Sequence, residues 1–181
     1  LNSARIILLL VSPNFMASDY CSIEMKKAME RHNRGEARVI PIILRPYHWQ
    51  ADPVLNKLEV LPNDERPVTN WPSLDDAFLD VTRGIRKVIK EMTIKTQGLI
   101  EQGIALRESR RHSEAITTLN AAIQLDPTNA QVHKELGIAL RETRHYDEAL
   151  VAFNTAIRLD PTNAQAYKEQ GIALREIERY W

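Results

Sequence analysis

Tyr20 and Glu24 stand four residues apart in Ser18 to Arg34, a segment with the pattern of a capped helix. Helical spacing puts positions i and i+4 on one face, so an aromatic ring and a carboxylate meet there. Read from the residues alone, Glu24 is an ordinary first-turn acid, favoured by the positive end of the helix dipole. Cys21, the single cysteine, reads as a packed thiol: no histidine lies within helical reach on its face, and His32 is two turns too far.

Other chemistry-bearing residues recur. Arg107-Glu108, Arg141-Glu142 and Arg175-Glu176 are spaced 34 residues apart. They read as neighbouring opposite charges on a solvated face, worth under ~1 kcal/mol each, or as a ladder that grips a charged peptide. His112, His133 and His145 fit turn or helix-packing positions, so no metal site is expected. The six glycines form no phosphate-binding loop. Lysine plus arginine equals aspartate plus glutamate at 24 each, which leaves no basic field for nucleic acid.

These residues need elements to position them. Ile6 to Val11 is a compact apolar run closed by Ser12-Pro13-Asn14, the pattern of a strand buried on both faces. Ser18 or Asp19 caps the helix that carries Tyr20 and Glu24, and Gly35 stops it. Val39 to Leu44 predicts a second buried strand, with Pro41 at a bulge or beside an edge. A proline-rich loop follows to Asn63, with a short helix near 54–58. Residues 66–71 predict a third strand, and Ser73 caps a helix with Asp75 and Asp76 in its first turn. Strands alternating with helices argue for a parallel sheet covered by helices.

Composition then changes. All but two of the nine prolines lie between Pro13 and Pro72; Pro127 and Pro161 sit 34 residues apart. Gly103, Gly137 and Gly171 share that spacing, as do two Leu-Asp-Pro-Thr-Asn runs starting at Leu125 and Leu159. More than half of the positions in 96–129 are identical in 130–163. Each unit reads as two helices, with Val132, Leu136, Ala139 and Leu140 on one face of the first. Leu150, Phe153, Ala156 and Ile157 do the same on the second. Gly137 has no Cβ, which predicts close approach of the facing helix. A single pair cannot bury its apolar face, so neighbouring pairs must stack. Between the halves, residues 93–98 contain no proline and no Gly/Ser tract, which predicts a stiff, helical connection.

Residues 96–181 resemble tetratricopeptide repeats (TPR), in the set of positions His133, Leu136, Gly137, Leu140, Tyr146, Ala149, Phe153, Ala156 and Pro161. Gly103, Leu106, Ala115, Leu119, Ala122 and Pro127 match in the first repeat; Tyr167, Gly171, Leu174 and Tyr180 match in the third. The resemblance implies repeats at 96–129 and 130–163, and a first helix only at 164–181. It also implies a groove for a protein or peptide at Gln97, Ile104, Arg107, Gln131, Lys134, Ile138, Arg141, Lys168, Ile172 and Arg175. Members that clamp a peptide's terminal carboxylate use an asparagine where this chain has Ile104, Ile138 and Ile172. Isoleucine cannot donate a hydrogen bond, so that clamp is not expected.

Residues 1–92 resemble the C-terminal part of a bacterial Toll/interleukin-receptor (TIR) domain. The match rests on Ser12-Pro13-Asn14-Phe15, Ser18-Asp19-Tyr20-Cys21-Ser22-Ile23-Glu24, the strand Val39 to Leu44, and Trp71-Pro72. Asn70 and Tyr20 depart from the family's usual phenylalanine and tryptophan. The implied fold is α/β: an incomplete flavodoxin-like parallel sheet, three of five strands, followed by the all-α hairpin array. Many TIR domains cleave the nicotinamide–ribose bond of NAD. The resemblance gives Glu24 the catalytic role and sets Tyr20 and Ser12 beside the dinucleotide, with NAD as substrate and no permanently bound cofactor. It also implies self-association with other TIR domains. A non-catalytic adaptor, acting through TIR–TIR and repeat–client contacts alone, is the alternative.

The chain opens at Leu1 in mid-pattern and stops at Trp181 with a helical pattern unfinished, which reads as a piece of a longer protein whose excerpt is inactive by itself. A lone cysteine suits a reducing cytoplasm. Ile6 to Val11 is far shorter than the roughly 20 residues needed to cross a bilayer, and it does not have the layout of a signal peptide. No membrane association is expected.

Overall fold

The computed structural model describes residues 4–179. The chain divides into two compact units, Leu1–Glu91 and Met92–Trp181.

In the first unit, β1 (Ile6–Val11) and β2 (Arg38–Ile43) pair in parallel, with Leu9 opposite Pro41. A short helix α1 (Pro13–Met16) and the longer α2 (Asp19–Asn33) connect them. Ser12 caps α1 and Ser18 caps α2, each hydroxyl accepting a backbone N–H of the first turn. Gly35, at φ +74°, follows α2, a backbone conformation that glycine adopts without steric cost. Ile7, Leu9, Val11, Ala28, Val39, Ile43, Trp49 and Leu55 form the core.

Two expectations are corrected here, and a third is decided between its alternatives. The parallel sheet has two strands among the described residues: 66–71 is a 3-10 turn at Val68–Asn70. Pro67 has no N–H to give a ladder, Asn70 N donates back to Pro67 O, and Thr69 N donates to Leu44 O. A single bridge, Ile42 to Leu61, extends the sheet instead. Secondly, β1 is buried on one face only. Ile7, Leu9 and Val11 are covered, whereas Leu8 and Leu10 are 42% and 51% exposed. Thirdly, of the two places expected for Pro41, a bulge or the side of an edge, it takes the second, with the register to Leu9 unbroken. The Pro41 carbonyl accepts from Leu61 N, so the missing donor faces the side where only that bridge is made.

Ser73 opens α3 (Leu74–Glu108), with its hydroxyl accepting from Asp76 N and Asp75 and Asp76 in the first turn. α3 is one helix of 35 residues. Residues 93–98 lie within it, so the expected helix after Ser73 and the first helix of the first repeat are continuous.

The second unit continues as α4 (His112–Leu125), α5 (Ala130–Glu142), α6 (Tyr146–Leu159) and α7 (Ala164–Glu178). The duplicated Leu-Asp-Pro-Thr-Asn runs explain the hairpin joints. Asp126 and Asp160 each accept from the N–H and the hydroxyl of the threonine two residues on. Asn129 and Asn163 then cap α5 and α7 through their side-chain oxygens. Inside each pair the turn residue is Arg110 or Arg144, at φ 59° and 64°. Bonds from Arg111 N to Leu106 O and from His145 N to Leu140 O close these helix ends. Leu119, Ala122, Val132 and Ala139 fill one cluster; Ile138, Ala149, Phe153 and Ala173 fill the next. Tyr180, expected to belong to the third repeat, lies outside the described residues.

Candidate functional sites

Glu24 lies on α2, half-buried at 25% side-chain exposure, and its Oε1 accepts from Lys27 Nζ at 3.2 Å. Tyr20, one turn earlier, is 72% exposed, and Ile23 beside it is 55% exposed. This helix face is therefore open to a ligand. Ser12 is committed differently: its hydroxyl accepts Phe15 N at 3.2 Å and fixes the turn by which the chain leaves β1. Cys21 is a half-buried free thiol. His32 links α2 to β2, because its Nδ1 accepts from Val39 N at 3.2 Å. Burial, and then the Arg38 charge, hold its pKa below the usual histidine value.

A cavity of about 480 Å³ lies after β2 in this unit. Pro46, Tyr47, His48, Trp49, Gln50, Glu65, Pro67 and Asn70 line it; Ser12, Tyr20 and Glu24 do not. The sequence reading missed it. The only signal was an aromatic cluster, Tyr47-His48-Trp49, inside a proline-rich loop.

In the second unit the arginines of the 34-residue ladder are not paired with their neighbours in sequence. Arg107 reaches Glu142 at 3.1 Å and Glu135 at 3.7 Å, while Arg141 reaches Glu169 at 3.2 Å and Glu176 at 3.7 Å. Arg107 and Arg141 thus each clamp two glutamates of the following repeat, whereas Arg175 is exposed. The side chains are mostly covered, at 18% and 17% for the arginines and 8% and 10% for Glu135 and Glu169. This corrects the solvated-face reading. Separations of 28 and 35 residues join helices stacked side by side, and a search for pairs within one helix does not find them.

The other groove candidates divide by burial. Ile138 is 8% exposed and packs with Phe153 and Ala173. Ile104 packs against the preceding cluster, and Ile172 is half-buried. Lys134 pairs with Glu135 at 3.0 Å. Gln97 donates to Glu101 at 2.9 Å. Gln97, Gln131, Lys168 and Arg175 are exposed. The histidines serve local structure: His133 Nε2 lies 2.9 Å from Pro127 O, and His145 Nδ1 lies 2.9 Å from Thr143 Oγ1. His112 Nδ1 faces Glu142 at 3.5 Å. Among the described residues, no group of three or more His, Cys, Asp or Glu is placed to hold a metal ion. No described helix is long and apolar enough to cross a membrane.

Comparison with known proteins separates the two parts. A family model described as TIR domain matches residues 1–129, and one described as tetratricopeptide repeat matches 100–164 and 134–180. The two matches overlap on α4 and the end of α3. A curated relative, "Uncharacterized protein y4lF" of Sinorhizobium fredii (strain NBRC 101917 / NGR234), is 52% identical over 94 residues, 51% of this chain. The chain spans 29% of that relative's length. Among solved structures, the Arabidopsis OM64 TPR domain is similar at 24% identity and TM-score 0.47, covering 49% of this chain and 74% of that one. The second TPR of Spaghetti (RPAP3), bound to HSP90 peptide SRMEEVD, is similar at 21% identity and TM-score 0.45, over 47% of this chain and 79% of that one. With the family model covering well over half of its length, the chain belongs to the TIR domain family, and TPR repeats follow in its second unit.

Proposed function

We propose that this chain serves a signalling protein in which the TPR repeats hold a segment of a partner protein along their first helices. The observation that supports this reading is the division of labour on those helices. Ile138, Arg107 and Arg141 are consumed in binding repeat to repeat, while Gln131 on α5 and Lys168 and Arg175 on α7 remain exposed. A stiffened stack with a separate set of exposed polar side chains is what selective docking requires. A photo-crosslinking residue placed at Gln131 or Lys168 should capture a discrete protein. The same residue at Glu148 on α6 should not. Equal capture at all three sites would end the docking assignment for this face.

A second reading concerns the TIR unit. Tyr20 and Glu24 share an exposed helix face, which favours NAD cleavage as the chemistry to which Glu24 contributes. When the nicotinamide–ribose bond breaks, nicotinamide leaves with the bonding pair and the ribose gains oxocarbenium character. A half-buried carboxylate stabilises that charge. Nicotinamide release by the full-length protein, not by this excerpt, beside its Glu24→Ala variant is the test, with a loss of about 100-fold or more expected. Equal release from both would leave the TIR unit the adaptor role, acting by pairing with other TIR domains.

A further inference from the structure

We infer that the cavity after β2 is a binding site for a small organic cation, and that a guanidinium is the group it fits. The cavity, about 480 Å³, opens beyond the carboxyl end of β2, the end at which parallel α/β sheets place their ligands. Its two walls are anchored rather than loose. Trp49 belongs to the core at 7% exposure, and Tyr47 packs against that core. On the opposite side Val68 is buried, and Thr69 N donates to Leu44 O at 3.1 Å, tying this segment to the strand end.

The chemistry of the lining selects charge sign. Glu65 is the one carboxylate that lines it, and no lysine or arginine does. Among the described residues Glu65 makes no ion pair, whereas its neighbours Asp64 and Arg66 pair with each other at 3.4 Å. An anion would meet Glu65 with repulsion. A neutral ligand could use Gln50 and Asn70 but would leave the carboxylate without a role. A cation is attracted both by Glu65 and by the aromatic rings of Tyr47 and Trp49. Guanidinium fits best because it is planar, stacks on aromatic rings and carries five donors for carboxylate and amide oxygens. The chain uses this contact elsewhere: the Arg66 guanidinium lies 5.5 Å over the Trp71 ring. Glu65 holds φ 61°, a conformation that costs a residue with a Cβ free energy, so the carboxylate is set there by the turn.

An arginine side chain of a partner and a free small cation share this chemistry, and titration of the isotopically labelled chain separates them. Backbone amides of 47–50 and 65–70 and the Trp49 indole N–H are followed with arginine, with citrulline as its uncharged analogue, and with a Gly-Arg-Gly peptide. Arginine should shift these signals, with citrulline about tenfold weaker or more, and added salt should weaken binding. Glu65→Gln keeps the Cβ and the backbone strain; it should weaken arginine binding by about fivefold while leaving the unfolding midpoint unchanged. Tighter binding of the peptide than of arginine assigns the site to a protein side chain, and the reverse assigns it to a free cation. Citrulline binding as well as arginine would overturn the proposal. So would an unchanged affinity in Glu65→Gln, or silence of these signals at all arginine concentrations.

Discussion

The Phe153 ring of α6 occupies the space that a side chain at Gly137 of α5 would fill. A Cβ built on Gly137 would lie 2.6 Å from Phe153 Cε1, and the ring is fully buried. Gly103 stands in the same relation to Leu119, but Gly171, at the third equivalent position, has nothing within 4 Å. In this 181-residue chain, alanine should therefore have opposite effects at Gly137 and at Gly171. Gly137→Ala forces overpacking against a rigid ring, a cost of ~1–3 kcal/mol that outweighs the alanine helix preference. Gly171→Ala meets no obstacle and should gain up to about 1 kcal/mol. Urea unfolding of both variants checks this, and a shift in the same direction for both would contradict it.

The arginine clamps give a second prediction. Removing Arg107 leaves Glu135, 8% exposed, with Lys134 as its remaining partner. Arg107→Ala should cost roughly 1–3 kcal/mol, since an ion stripped of its partner in a covered site is expensive. Arg107→Met with Glu135→Met should recover most of that loss, because the pair itself adds little over apolar packing. A double variant as unstable as the single one would show that the clamp stabilises by its charge.

How much of this was legible in the sequence depends on the range of the interaction. The hairpin joints were legible because Asp126 accepts from Thr128 and Asn129 accepts from Gln131 and Val132, all partners close in sequence. The close approach at Gly137 was legible because the missing Cβ and the 34-residue repeat pointed to it together. The clamps were not, because Arg107 and Glu142 meet only once two repeats are stacked. The third strand failed for a local reason: Pro67 supplies no donor, and the apolar residues that read as a strand turn back at Val68 instead. The cavity around Glu65 joins two loops brought together by the Thr69–Leu44 bond, which no periodicity announces.

His32 should make the first unit sensitive to acid. Its Nδ1 accepts Val39 N, so the neutral ring is the bonded form, and burial followed by Arg38 lowers its pKa. The unfolded chain therefore takes up a proton first, at about pH 6.5. The stability that this histidine contributes is present above that value and is lost as pH falls toward the lower folded pKa. The unfolding midpoint should drop between about pH 7.5 and about pH 5.5, and His32→Gln should remove part of that slope. An unchanged slope in the variant would assign the effect to other groups.

The two faces of β1 offer the sharpest check on the sheet. A run of six apolar residues reads as a strand covered on both sides, yet Leu9 is 6% exposed and Leu10 is 51% exposed. If only one face is packed, neighbouring leucines must answer differently to the same change. Leu9→Ala removes buried methyl groups and opens a cavity, which should cost about 2–4 kcal/mol. Leu10→Thr keeps a β-branched residue suited to a strand and removes little buried area, so its cost should stay under about 1 kcal/mol. Thermal unfolding of this chain reads both. Comparable losses would mean that Leu10 is covered in solution and that its face of β1 has a packing partner there.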